Sequence, residues 1–379
     1  MELQEYRFDE VSNNYDKKRI PLSSAQRAKR QGNYRYYGAQ GVIDYIDDYI
    51  FDGTFMLIAE DGENLKSKKQ NIAQVVKGQF WVNNHAHIVT GNDLCDTRYL
   101  CYLINCMDLS GYVTGSAQPK LSQANLNAVK LLLPQIETQK KIVDYLSKID
   151  EKIEVNTQIN KNLLEQALTM FSTQFAALDK NGCIGDYCSV KSGFAFKSSW
   201  WTTNGVKVIK IGSINQDNLN LSECSYVDED KVDKAKDFKV IAGDLLIAMT
   251  GATIGKFAMV PYSSDTLLVN QRVGQFFLGN NPVEKLPFIY CTLKQPDVYY
   301  EIVNRGQGSA QPNISASDIM SISCVIPSKE AINKFNKTLQ PLFDLIISNQ
   351  RENQQLSTLR DSLLPKLMSG ELDVSDIDL

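Results

Sequence analysis

Ser116-Ala117-Gln118-Pro119-Lys120-Leu121-Ser122 returns as Ser309-Ala310-Gln311-Pro312-Asn313-Ile314-Ser315, 193 positions further along the chain. The same offset carries Leu126 onto Ile319 and Pro134 onto Pro327. It continues without a gap through Ile142/Phe335, Leu146/Leu339, Ile149/Leu342, Ile153/Ile346, Asn156/Asn349, Asn160/Asn353 and Leu163/Leu356. Upstream the match loosens: Leu57-Ile58-Ala59-Glu60-Asp61-Gly62 resembles Leu246-Ile247-Ala248-Met249-Thr250-Gly251 at an offset of 189. A repeat this long exceeds any solenoid unit and reads as a duplicated domain followed by a helix.

Both copies run in the same order. Residues 1–134 and 179–327 hold short β-branched runs, such as Val206-Lys207-Val208-Ile209-Lys210-Ile211, bounded by Gly and Asn/Asp turn signals, which predicts strands. Residues 135–178 and 328–379 open behind Pro134 and Pro327 and carry apolar residues at helical spacing, without glycine until Gly182 and Gly370. Ile142, Leu146, Ile149, Ile153, Asn156, Asn160, Leu163, Ala167 and Met170 step by four and three in turn, as do Phe335, Leu339, Leu342, Ile346, Asn349, Asn353, Leu356, Arg360 and Leu363. That is a coiled-coil seam, with two asparagines at matching positions of each copy. Buried asparagine costs stability and penalises shifted registers.

Forty residues of helix span about 60 Å at ~1.5 Å per residue. The expected fold is therefore α+β: two similar mixed α/β domains separated by two long helices packed as an antiparallel coiled coil, with pseudo-twofold symmetry.

Composition narrows the function little. The 379 residues include 40 Lys+Arg against 44 Asp+Glu, a net charge of −4, so any nucleic-acid binding must come from local patches. No apolar stretch is long enough for a transmembrane helix, and the N-terminus lacks the basic and apolar regions of a signal peptide. The eight cysteines form no C-x-x-C pair and most sit among apolar neighbours, which predicts buried thiols in a cytoplasmic protein.

The expected set of catalytic, cofactor and metal residues is empty. Gly251-Ala252-Thr253-Ile254-Gly255-Lys256-Phe257 has three residues between its glycines and Phe after the lysine, where a phosphate loop needs four and a hydroxyl. There is no G-x-S-x-G and no Asn-Pro-Pro-aromatic segment of the methyltransferase kind. The two histidines lie in Trp81-Val82-Asn83-Asn84-His85-Ala86-His87-Ile88-Val89, which reads as a strand with His85 and His87 on one face. A polar strand presenting Asn83, Asn84 and His85, or Asn270, Gln271 and Arg272 in the second half, suits hydrogen bonds to base edges or phosphates better than it suits a metal.

Charge is sorted along the chain. Residues 11–37 hold Lys17, Lys18, Arg19, Arg27, Lys29, Arg30 and Arg35 against Asp16 alone, interleaved with Tyr34, Tyr36 and Tyr37 and followed by Gln40. Residues 44–63 hold Asp44, Asp47, Asp48, Asp52, Glu60, Asp61 and Glu63 with no Lys or Arg, and Lys66, Lys68 and Lys69 follow. Basic and aromatic residues together on a loop suit phosphate positioning. The second half is thinner, with Lys191, Lys197, Lys207, Lys210, Lys256, Arg272 and Arg305.

The closing Leu363-Leu364-Pro365-Lys366-Leu367-Met368-Ser369-Gly370-Glu371-Leu372 and the twin Gln-Pro-x-[Leu/Ile]-Ser segments resemble the specificity (S) subunit of type I restriction-modification systems. The resemblance covers the whole chain. It implies two target recognition domains, each reading one half of a bipartite sequence in double-stranded DNA. The helices would form an antiparallel coiled coil that sets the spacer and docks two modification (methyltransferase) subunits. It further implies that the chain is not an enzyme and binds no cofactor itself. Its partners would hold S-adenosylmethionine and methylate adenine N6, and restriction subunits would join in some assemblies. The thin basic set of the second half then implies that partner subunits supply much of the phosphate grip. The alternative is a coiled-coil scaffold whose end domains bind protein or carbohydrate partners.

Overall fold

The computed structural model describes residues 2–67, 70–115, 118–306 and 312–374. Lys68, Lys69 and, of the repeated motif, Ser116, Ala117, Ser309, Ala310 and Gln311 lie outside the described residues. The fold is α+β, and the chain divides into two compact units. One runs up to Glu151 and resumes at Ser357; the other is Lys152–Leu356. The central helix Ile136–Phe175 and the C-terminal helix Lys329–Ser369 each contribute to both.

In the first unit, Gln4–Arg7 pairs antiparallel with Lys130–Leu133, so the two ends of the domain meet. Its six-stranded sheet runs in the order Ser12–Asn14, Ala86–Gly91, Phe51–Ala59, Ala73–Val82, Gln31–Gly38, Gly41–Ile46. Only Gln31–Gly38 and Ala73–Val82 are parallel neighbours. The helix Thr97–Cys106, capped by the Asp96 carboxylate, buries Tyr99, Leu100 and Ile104 against Phe8, Val11, Met56 and Ile58. Ile142 and Leu146 join this core, as do Leu367, Met368 and Val374. The closing residues are thus core residues of the first unit. Gly370, at φ 77°, ends the C-terminal helix, and the Leu372 N–H returns to the Lys366 carbonyl at 3.0 Å.

The second unit repeats the plan, with Gly182–Cys183 pairing against Ser323–Cys324. Where the first unit has one long antiparallel ladder, Phe51–Ala59 with Ala73–Val82, the second has two short ones. Lys239–Val240 pairs with Leu267–Val269, and Leu245–Ala248 pairs with Phe257–Met259. Gly243, at φ 86°, and Pro261, which has no N–H to give a ladder, sit at the breaks. Two smaller sheets of four and five strands result. Phe171, Phe175, Phe288 and Phe335 close the core, with the Phe175 and Phe335 rings 5.3 Å apart.

Of the seam residues, Ile142, Leu146, Asn156, Asn160, Phe335, Leu339, Ile346 and Asn349 are buried. Ile149, Ile153, Leu163, Leu342, Asn353 and Leu356 are half-buried. The heptad pattern fails at one end. Met170 is only half-buried, while Phe171 and Phe175 carry the burial, because there the helix meets a whole domain rather than one helix.

The asparagines pair across the seam within the second unit. Asn349 Nδ2 donates to Asn160 Oδ1 at 2.8 Å, and Asn156 Nδ2 donates to Asn353 Oδ1 at 2.9 Å. Asn160 and Asn353, 193 positions apart, each also donate to a carbonyl of the opposite helix, Ile346 and Ile153, at 3.4 Å. One residue number rises as its partner's falls, so the pairing is antiparallel. In the first unit, Arg360 Nη1 meets Asp150 Oδ1 at 2.7 Å in the same sense. Asn349→Leu should cost about 1–3 kcal/mol by stranding the Asn160 amide, and adding Asn160→Leu should recover most of that. Urea denaturation of the two single variants and the double variant checks this; a double variant as unstable as the sum of the singles would contradict it.

No helix among the described residues is long and apolar enough to cross a membrane.

Candidate nucleic-acid interface

The duplicated feature that bears exposed polar side chains is a turn. Gln31–Gly38 runs parallel to Ala73–Val82, matching Tyr37 with Val82. In the second unit Val206–Ile209 runs parallel to Leu267–Val269, matching Ile209 with Val269. The next residue in each copy, Asn83 or Asn270, donates its N–H to the Tyr37 or Ile209 carbonyl at 3.0 Å. Its buried side-chain Oδ1 then accepts the N–H two residues on, from His85 at 2.8 Å or Arg272 at 3.3 Å. This Asx turn bends the chain into the returning strand, Ala86–Gly91 or Val273–Phe277, and leaves Asn84-His85 and Gln271-Arg272 exposed.

The repeated proline motif backs the turn. Glu60 N–H bonds the His85 carbonyl, and Met249 N–H bonds the Arg272 carbonyl. Leu121 and Ile314 bond back to Glu60 and Met249, while Gly62 and Gly251 bond the Pro119 and Pro312 carbonyls. Both glycines have positive φ, 120° and 73°, as this close return requires.

The expected strand through residues 81–89 is corrected: a turn interrupts it, so the two histidines have different settings. His85 is half exposed, with Nδ1 2.7 Å from Asp61 Oδ2. His87 is buried on the returning strand, with Nδ1 2.6 Å from Asp16 Oδ2 and Nε2 2.8 Å from the Leu121 carbonyl.

The basic stretch of the first unit is also corrected, since Gln31–Gly38 is a strand rather than a loop. Its arginines meet the acidic run that follows it in sequence. Arg19 pairs with Glu60 at 2.9 Å and Asp16 at 3.4 Å, Arg27 with Asp44 at 2.9 Å, and Arg30 with Asp47 at 2.8 Å. Arg27 and Arg30 lie over the Tyr36 and Trp81 rings, and Arg35 covers the buried Tyr37 while bonding the Lys77 carbonyl at 2.7 Å. Burial alone would push the Asp16 and Glu60 carboxyls up. The hydrogen bonds and charges of His87 and Arg19 hold both below the ordinary carboxylate range. Lys17, Lys18, Lys29 and Gln40 remain exposed, and Lys66 bonds the Gly115 carbonyl.

In the second unit, Lys207 pairs with Asp265 at 2.6 Å, and Arg305 is held by Glu301, Ser321 Oγ and the Asp318 carbonyl. Lys191 lies over Phe277, Lys256 is half-buried, and Arg272 is exposed. Beside the turn stands a platform that the sequence reading missed. The Phe194 carbonyl accepts the Gln271 N–H, and the Phe194 ring stacks on Trp200. Lys197, Lys231 and Lys234 surround the Trp200 ring, and Lys210 Nζ sits 3.5 Å from the Trp201 centroid. Burial lowers the Lys210 pKa below the usual lysine value. Lysines distant in sequence converge here on adjacent tryptophans, a convergence that only the Trp200-Trp201 pair could have signalled.

All eight cysteines are free thiols, and Cys95, Cys101, Cys188 and Cys324 are pushed up to about 12 by burial. Among the described residues no three His, Cys, Asp or Glu side chains come together as a metal site would require.

The family model for the type I restriction modification DNA specificity domain matches residues 2–165 and again 180–358. The chain belongs to that family. The specificity subunit is 27% identical to the type I restriction enzyme MjaIX specificity subunit of Methanocaldococcus jannaschii, over 80% of this chain and 75% of the relative. It is 35% identical to a type I restriction enzyme specificity subunit of Haemophilus influenzae over 37% of this chain, and there spans about a third (35%) of the relative. Its fold is similar to the crystal structure of the S subunit of a type I restriction-modification system from M. genitalium, with a TM-score of 0.57, 15% identity, and 97% and 96% of the two chains covered. As a specificity subunit it is a non-catalytic, DNA-recognising member of a restriction-modification complex.

Proposed function

We propose that this specificity subunit reads a bipartite target in double-stranded DNA, one half with each domain, and positions two modification subunits for adenine N6 methylation. The carrying observation is that one chain builds the same Asx turn twice and loads it with different exposed side chains, Asn84-His85 and Gln271-Arg272. Identical scaffolds with different polar tips suit two half-sites of different sequence. The lysine-ringed tryptophans and the exposed Lys17, Lys18 and Lys29 supply phosphate contacts that orient the domains without reading bases. The subunit carries no cofactor of its own in this reading. S-adenosylmethionine belongs to the modification subunits, with which restriction subunits can assemble.

Deleting the gene and sequencing host DNA by a methylation-sensitive method tests the proposal. A single bipartite N6-methyladenine motif is expected to vanish and to return on complementation; an unchanged methylome would refute it.

A further inference from the structure

The two copies of the turn differ in hydrogen-bond polarity. In the first unit the His85 ring is held at Nδ1 by Asp61, 2.7 Å away. The carboxylate accepts, so the neutral ring keeps its proton on Nδ1 and turns the Nε2 lone pair outward. The exposed tip is then an acceptor. In the second unit the position of His85 is taken by Arg272 and that of Asp61 by Thr250. The backbone shows this equivalence: Asp61 bridges to Lys120, and Thr250 bridges to Asn313, one step after the proline of each motif. With no carboxylate at that position, Arg272 makes no ion pair among the described residues, and the Thr250 hydroxyl is buried without a partner. The exposed tip is a five-donor fork with no acceptor.

Resting on the proposed reading of DNA, we infer that Arg272 specifies a guanine in the half-site of the second unit, and that Asp61-clamped His85 specifies a base with an exocyclic amino group in the half-site of the first. In the major groove guanine offers O6 and N7 as paired acceptors, which match the guanidinium fork. Adenine N6 and cytosine N4 offer the donor that an outward Nε2 needs. The turn would thus be the base-reading element of each domain. Arg19, Arg27 and Arg30, clamped by carboxylates, would have no part in reading.

The test uses the full chain with its cognate modification subunits in a host without other adenine methylases, read by long-read methylome sequencing. Wild type, Arg272→Gln, His85→Arg and Lys234→Ala are compared, and co-purification with the modification subunits verifies folding. Arg272→Gln should relax one guanine position of one half-site by about tenfold, leaving the other half unchanged. His85→Arg should bring guanine into one position of the other half, and the base it replaces distinguishes adenine from cytosine. Lys234→Ala should lower methylation at all sites alike. If Arg272→Gln does not assemble, Arg272→Lys, which keeps the charge and loses the fork, takes its place. An unchanged motif in the Arg272 variant, at full or uniformly reduced methylation, would overturn the inference and leave the proposed function standing. A wild type that methylates no bipartite motif would overturn the proposed function, and the inference with it.

Discussion

His87→Leu is expected to destabilise the first unit by about 3–5 kcal/mol, the cost of breaking a buried charged network by removing one partner. His87 is 1% exposed, and both ring nitrogens face acceptors, the Asp16 carboxylate and the Leu121 carbonyl. Leucine supplies neither hydrogen bond, so Asp16 keeps only the Ile88 N–H and Arg19, and Leu121 loses its partner. The damage falls on the strand that returns from the turn and on the motif backing it. Amide exchange of Ala86–Gly91 should accelerate by about 10²- to 4 × 10³-fold, at 1.4 kcal/mol per decade. Adding Asp16→Leu should recover part of the loss, because a paired apolar replacement strands no charge. The same network sets acid behaviour. Asp16 and Glu60 have folded pKa values below their unfolded ones, so they contribute stability above about pH 4. They lose it as the pH falls through the folded values. Exchange rates unchanged in His87→Leu would contradict this account.

Much of the fold was legible because the chain states it twice. The 193-residue offset exposed the duplication, and the helical spacing marked the seam, down to the asparagines that meet as Asn160–Asn349 and Asn156–Asn353. Periodicity failed where a helix stops facing another helix: Phe171 and Phe175 displace Met170 because a domain covers a wider stripe than a seam does. The site was legible in part. The equivalence of Asn83-Asn84-His85 with Asn270-Gln271-Arg272 held, but alternation of residue types could not distinguish a strand from an Asx turn followed by one. Charge runs misled most. Arg19, Arg27 and Arg30 and the acids after them looked like separate patches, yet the fold brings opposite charges together, only the Arg30–Asp47 pair lying beside paired strands. Linear charge sorting carries no information about which charges the fold brings together.

The proposed reading of one half-site by each unit predicts that neither half-site suffices. Phosphate contacts are common to all sequences, so in that proposal specificity would be the sum of base contacts made by both turns and their surroundings. Each lost base pair costs about 1–3 kcal/mol, so scrambling a whole half-site should bring binding close to the non-specific level, about 10³-fold weaker or more. The direct measurement is the affinity of the assembled complex, at fixed salt, for duplexes carrying both half-sites, either one alone, or neither. The account predicts tight binding only with both, and a loss of about 10³-fold when either is scrambled. Equal affinity for the full target and for a duplex with one half-site would contradict it.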